Sequence, residues 1–283
     1  MTPLNRRVFR HVIRTLIRGA LTMVVGACSP TPAVSVAPAL GQWIWTRADL
    51  TRFAESRAVH PGLEAAVFIG SIQCDTISGR LVARVGLSAR EPQTDGVTGV
   101  IRLENGIDHC RVAGTAAPQF AQQLDSAVSV LRQRARTSPI VAMQLDYDAP
   151  QRAIGAWAAI VSYLHAHALR GDSIWVTSLI AQLRESGYGD LFRGVVSGHV
   201  LQVFDTGEPA TAAQVDEALR LVRRARIPFR LGLGAFERET RGGRTDHRAW
   251  FATLPQFAAS EGFRGVWVFP AGREWISLIT KGT

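Results

Sequence analysis

Short apolar runs rich in Val, Ile, Trp and Phe alternate along this chain with longer segments whose apolar residues recur every three or four positions. That alternation constrains the fold more than any other feature, because strands buried on both faces and joined by crossover helices make a parallel sheet. The pattern predicts eight strands, at Trp43–Trp45, Ala65–Ile72, Val97–Leu103, Ile140–Asp146, Ser173–Ser178, His199–Phe204, Phe229–Leu233 and Gly265–Phe269. Helices are expected between them at Arg47–Ala58, Pro118–Arg136, Arg152–Leu169, Leu179–Phe192, Ala212–Arg226 and His247–Glu261; Leu124, Val128 and Leu131 mark one buried face. The run Arg80–Leu87, followed by Glu91-Pro92-Gln93-Thr94-Asp95-Gly96, reads instead as an antiparallel strand and turn. The expected fold is therefore α/β: a (β/α)8 TIM-like barrel over residues 42–283, with an antiparallel hairpin insertion between strands two and three. A doubly wound open sheet would want a Gly-rich phosphate loop after its first strand, and Trp45-Thr46-Arg47 is not one.

The chain carries a net charge of +9, which invites a polyanion partner. Five of the cations, Arg6, Arg7, Arg10, Arg14 and Arg18, lie in the first 27 residues, which hold no acid. Removing them from the 32 Lys+Arg leaves 27 against 23 acids, so the remaining 256 residues carry +4 and no nucleic-acid partner is expected. Basic residues, the apolar run Ala20–Val25 and the small pair Gly26-Ala27 make residues 1–27 an export signal, its apolar part too short to span a bilayer. Val25-Gly26-Ala27-Cys28 resembles a bacterial lipobox, which implies acylation of Cys28 as a membrane anchor, and Asn5-Arg6-Arg7-Val8-Phe9 resembles a twin-arginine motif. Ser29 after the lipidated position implies the periplasmic side of the outer membrane. Residues 28–41 read as a tether rich in Pro, Ser, Thr and Ala. Cys74 and Cys110 follow neighbouring strands at one barrel end, where they either pair as a disulfide or stay as two thiols.

Barrel chemistry sits at the C-terminal ends of strands. The fourth strand ends Gln144-Leu145-Asp146-Tyr147-Asp148-Ala149-Pro150, and a period of two puts Gln144, Asp146 and Asp148 on one side. Two carboxylates spaced roughly 6.6 Å apart along a strand can drive each other's pKa values apart, as glycosidic cleavage requires. The plainer reading has Asp148 capping the next helix while Asp146 holds a loop or an Arg. Gln202-Val203-Phe204-Asp205, Phe236-Glu237, Trp267 and Phe269 add an amide, acids and aromatics to the same end, a mixture suited to a sugar. Asp148 and Glu237 could also act as a two-carboxylate pair, retaining at about 5 Å and inverting at about 6.5–9.5 Å. The polar stretch Arg238–Arg248 reads as an exposed loop in which Arg241 and Arg244 could meet a ligand. His165 and His167 do not share a helix face, so no metal or other cofactor is expected.

Asp146-Tyr147-Asp148-Ala149-Pro150 resembles the Asp-aromatic-Glu-x-Pro strand ending of family-18 chitinases, Gln202-Val203-Phe204-Asp205 is similar to their Met-x-Tyr-Asp, and Trp267 to their strand-eight Trp. The resemblance implies Asp148 as proton donor, Asp146 as the carboxylate orienting an acetamido group, and Gln144, Tyr147, Gln202, Phe204, Asp205 and Trp267 around a sugar. The chain departs from the family pattern with Asp148 in place of Glu and Gln144 in place of Asp. Gln144–Pro150 with Thr177-Ser178-Leu179, Gln202-Val203-Phe204-Asp205 and Pro228–Leu233 also resembles the uncharacterised bacterial domain family numbered 3142. Two functions follow as expectations: a lipid-anchored glycoside hydrolase-like enzyme acting on an envelope or extracellular polysaccharide, or a non-catalytic carbohydrate-binding or scaffold lipoprotein.

Overall fold

The computed structural model describes residues 38–112, 117–135, 139–206, 209–240 and 243–280. The predicted export signal, Cys28, most of the tether, Arg241 and the side chain of Arg244 lie outside the described residues. In chain order the elements are β1 (Ala39–Ile44), α1 (Arg47–Val59), β2 (Glu64–Asp75), β3 (Arg80–Val85), β4 (Val97–Leu103), α2 (Ile107–Val112), α3 (Ala117–Ala135) and β5 (Ile140–Asp146). They continue with α4 (Ile154–Ala166), β6 (Ile174–Leu179), α5 (Ile180–Leu183), α6 (Tyr188–Phe192), β7 (Gly198–Gln202) and α7 (Ala212–Ala225). The last third holds β8 (Phe229–Gly234), β9 (Glu237–Thr240), β10 (Gly243–Asp246), α8 (Leu254–Ala258), β11 (Phe263–Phe269) and α9 (Ile276–Thr280).

Eight parallel strands run in the order β1-β11-β8-β7-β6-β5-β4-β2, and β1 also pairs with β2, so the sheet closes into a TIM-like barrel. The strand β3 lies outside it, antiparallel to β2 from Gly70↔Val85 to Asp75↔Arg80. Alternation of strand residues divides the core in two. Inward, Trp43, Trp175 and Trp267 interleave with Ala66, Val100, Ala142 and Val200, large against small, as a filled barrel requires. The fit is tight: a Cβ on Gly41 would lie 2.2 Å from the Trp267 ring, so glycine is what lets the indole rest on β1. Outward, the strands pack on amphipathic helices such as α3, where Leu124, Val128 and Leu131 are buried, and α7, where Val215, Ala218 and Val222 are.

Local chemistry sets the helix ends. Thr46 and Asp49 form a capping box that starts α1, and Thr211 accepts from the Gln214 amide to start α7. Three predicted helices differ from expectation. Leu179–Phe192 is two short helices, interrupted where Gly187 takes φ 82°. Arg152–Leu169 begins as a 3-10 turn at Gln151–Ala153 and stops at Ala166, and His247–Glu261 is a 3-10 segment followed by α8, with Pro255 in the first turn. The sequence reading missed α2 and α9, and Ala39–Gly41, assigned to the tether, open β1. Arg238–Arg248 is largely the hairpin β9–β10 rather than a loop. Cys74 at the end of β2 and Cys110 on α2 are joined as a disulfide, their Cα atoms 5.6 Å apart.

Candidate functional site

A cavity of about 360 Å³ opens at the C-terminal ends of the barrel strands. One wall is aromatic: Trp43 and Trp45 follow from β1, Phe204 from β7 and Phe269 from β11, with Phe204 and Phe269 stacked at 5.7 Å. The polar lining is Asp146 and Asp148 from β5, Gln202 and Asp205 from β7, and the two cations Arg102 and Arg238. Flat apolar faces beside fixed polar groups make a surface complementary to a pyranose.

The acidic pair is not a free pair. Arg102, on the inward row of β4, donates through Nη1 to Asp146 Oδ2 at 2.7 Å and through Nη2 to Asp148 Oδ2 at 3.3 Å. Its Nε lies 3.7 Å from Glu104, and the guanidinium sits 5.7 Å from the Trp45 ring centre. Burial works against the charge of Arg102, but Asp146 and Asp148 outweigh it and hold the guanidinium proton more tightly than usual. Asp146 is nearly sealed from water, and this burial pushes its carboxyl above the ordinary range even though Arg102 opposes the shift. Asp148 Oδ1 is buried and has no hydrogen-bond partner among the described residues.

The facing wall repeats the motif. Asp205, in the left-handed region at φ 55°, meets Arg238 Nη1 at 2.8 Å through Oδ2 and His247 Nε2 at 3.3 Å through Oδ1. His247 is buried, which lowers its pKa against the pull of Asp205. Arg238 is on β9 and lines the cavity, while His247 opens the 3-10 segment after β10 and holds Asp205 from behind, so the hairpin reaches the cavity through Arg238.

No protein-family model and no curated protein sequence matches the chain. Its structure is similar to the spore cortex-lytic enzyme SleL of Bacillus cereus, at 12% identity over 86% of this chain and 74% of that one, with a TM-score of 0.56. It is similar to a GH18 chitinase of Cycas revoluta in complex with allosamidin, at 13% identity over 86% and 98%, TM-score 0.60. It is also similar to XAIP-II, a xylanase and alpha-amylase inhibitor protein of Scadoxus multiflorus, at 9% identity over 88% and 100%, TM-score 0.58. What the chain shares with all three is the closed barrel architecture. Identities this low establish the architecture and leave the chemistry to the site.

Of the residues singled out in the sequence, Asp146, Asp148, Gln202, Phe204 and Asp205 meet in the cavity. Four others do not line it. Gln144 is one layer deeper, accepting from Trp43 Nε1 at 3.1 Å and donating to Thr177 Oγ1 at 3.0 Å, so it holds the barrel floor. Trp267 lies in that floor, stacked on Trp43 at 6.4 Å. Tyr147 has the opposite parity to the acids and points outward, donating to Asp108 at 2.9 Å and packing edge-on to Trp157. Glu237, on β9, pairs with Arg248 in the 3-10 segment after the hairpin. Arg102, Arg238 and His247 are the site residues that sequence reasoning missed. For Arg102 a signal existed: in Val97–Leu103 it shares the inward row of Thr98 and Val100, at the strand's C-terminal end.

Proposed function

We propose that this protein is an exported envelope lipoprotein, acylated at Cys28, whose barrel mouth binds a polysaccharide or oligosaccharide without cleaving it. The observation that carries the reading is Arg102 bridging Asp146 and Asp148. A proton donor to a glycosidic oxygen must present an acid hydrogen to the sugar. Here one oxygen of each carboxylate is committed to a guanidinium, which suits a rigid acceptor platform for hydroxyl groups. The family-18-like fold, the aromatic wall and the presence of an inhibitor protein among the structural neighbours support a sugar partner and a barrel that works by binding. The departures at Gln144 and Asp148 point the same way. The motifs Gln144–Pro150 and Pro228–Leu233 support placing the chain in the uncharacterised family numbered 3142.

Hydrolysis is the second reading, and Asp148 Oδ1 favours it, since an unpartnered buried carboxylate oxygen beside the cavity is placed to engage a leaving group. A glycan panel assayed for binding and turnover separates the two, using wild type, Asp148→Asn and Arg102→Met. Binding without product by wild type, weakened at least tenfold in Arg102→Met, is expected. Product formation that disappears in Asp148→Asn would establish the hydrolase, and failure to bind any glycan would remove both readings.

A further inference from the structure

Opposite the mouth, the chain enters the barrel strands through a rim rich in arginine. The strand order β1-β11-β8-β7-β6 sets the lead-in segments of these strands side by side. Along that arc lie Arg264 at the start of β11, Arg223 and Arg226 before β8, Arg193 before β7 and Arg170 before β6, all exposed. Arg193 pairs with Asp190 and reaches the Ala225 carbonyl at the end of α7, which joins its sector to that of Arg226. Arg223, Arg226 and Arg264 line one depression of about 560 Å³ with the acid Glu261. Two further acids along this arc are paired, Asp190 with Arg193 at 2.9 Å and Asp172 with Arg132 at 2.7 Å. The net +4 that remains after the leader is thus concentrated in part on one face of the molecule.

A second, independent observation is where the described chain begins. Ala39 pairs with Gly265, the residue after Arg264, and a Cβ on Gly265 would lie 1.9 Å from the Ala39 carbonyl oxygen. The described chain therefore begins at this same rim, at the end of the barrel away from the mouth. Eleven residues, Cys28 to Pro38, separate that start from the proposed acylation position, a contour of at most about 36 Å.

We propose that this arginine rim is a docking surface for anionic phospholipid headgroups, turning the glycan-binding mouth away from the bilayer. The reach argument rests on the acyl anchor of the proposed function; the arginine arc does not. Guanidinium groups bind phosphate through paired N–H donors. A surface arginine near an anionic leaflet contributes about a fivefold gain in partitioning, provided it comes within a Debye length of roughly 8 Å.

The test uses residues 28–283 with Cys28→Ser, which retain the whole closed barrel and remove the acyl contribution. Co-sedimentation is measured with vesicles of phosphatidylcholine alone and with 30 mol % phosphatidylglycerol, at low and physiological salt. Preferential binding to the anionic vesicles is expected, falling on the order of 100-fold in Arg223→Gln/Arg226→Gln/Arg264→Gln with its melting temperature unchanged. Equal binding to both vesicles, or an unaffected triple variant, overturns the proposal. So does saturable binding to a soluble polyanion with none to vesicles. Failure of the anchor or of glycan binding would leave these readouts unchanged, so the ideas fail separately.

Discussion

Replacing Arg102 with Met removes the guanidinium and keeps most of the apolar stem against Trp45. The carboxylate of Asp146, with a side chain only 5% exposed, then loses its countercharge. Removing one partner of a buried pair costs about 3–5 kcal/mol, and because Arg102 is itself 28% exposed the low end applies, about 3 kcal/mol. For a domain of this size each kcal/mol moves the melting temperature by roughly 2–4 °C, so a fall of about 6–12 °C is expected at pH 7. The pH dependence identifies the cause. Burial already holds the Asp146 carboxyl above its unfolded value, and loss of Arg102 raises it further. Folded protein then keeps a proton that the unfolded chain has released, so stability falls as pH rises from the unfolded carboxylate range through the folded pKa. The deficit relative to wild type is therefore full near pH 7–8 and shrinks as Asp146 protonates on acidification. Scanning fluorimetry across that range reads it directly. Arg102→Met/Asp146→Asn, in which the sealed carboxylate goes together with its countercharge, should recover most of the loss. A deficit identical at every pH, or a double variant as unstable as the single one, would refute the reasoning.

Two further outcomes are expected. His199, sealed behind the barrel with Nδ1 2.6 Å from Ser178 Oγ, is pushed down to about 3 by burial. Its neutral form stabilises the fold fully above the unfolded histidine range, and this is lost as pH falls from about 6.5 toward 3. His199→Gln should flatten that decline by on the order of 5 kcal/mol, and an unchanged acid limb in denaturant titrations would contradict it. The Cys74–Cys110 bridge closes a loop with sequence separation 36, for which chain entropy gives about 4 kcal/mol. Dithiothreitol and Cys74→Ser/Cys110→Ser should lower the melting temperature equally, and a reductant effect on the double variant would place the sensitivity elsewhere.

How much of the site was legible depended on whether its geometry was local. Asp146 and Asp148 share a row with Gln144 because strand periodicity is a property of the chain itself, and Asp205 was found by its place after an apolar run. Depth was not local. Gln144 and Trp267 stand near strand ends in sequence, yet the tilt and stagger of the barrel put them beneath the cavity, bonded or stacked to Trp43. Tyr147, between two mouth acids, has the opposite parity and faces the helices. Glu237 follows β8 as a mouth residue would, but the chain turns there into a hairpin, and Arg248 in the 3-10 segment that follows it takes the carboxylate.

Periodicity, segment length and turn chemistry alone determined that the described chain closes as eight parallel strands with an antiparallel strand outside. Burial pattern and local propensity are encoded within a few residues of one another, so each strand and its row of inward side chains could be read in isolation. Only the tertiary structure decided the electrostatic character of the mouth. Arg102 meets Asp146 across 44 positions, and Arg238 meets Asp205 by way of the hairpin. Coulomb energy depends on distance and dielectric, and both are set by which strands become neighbours and how deeply they are covered.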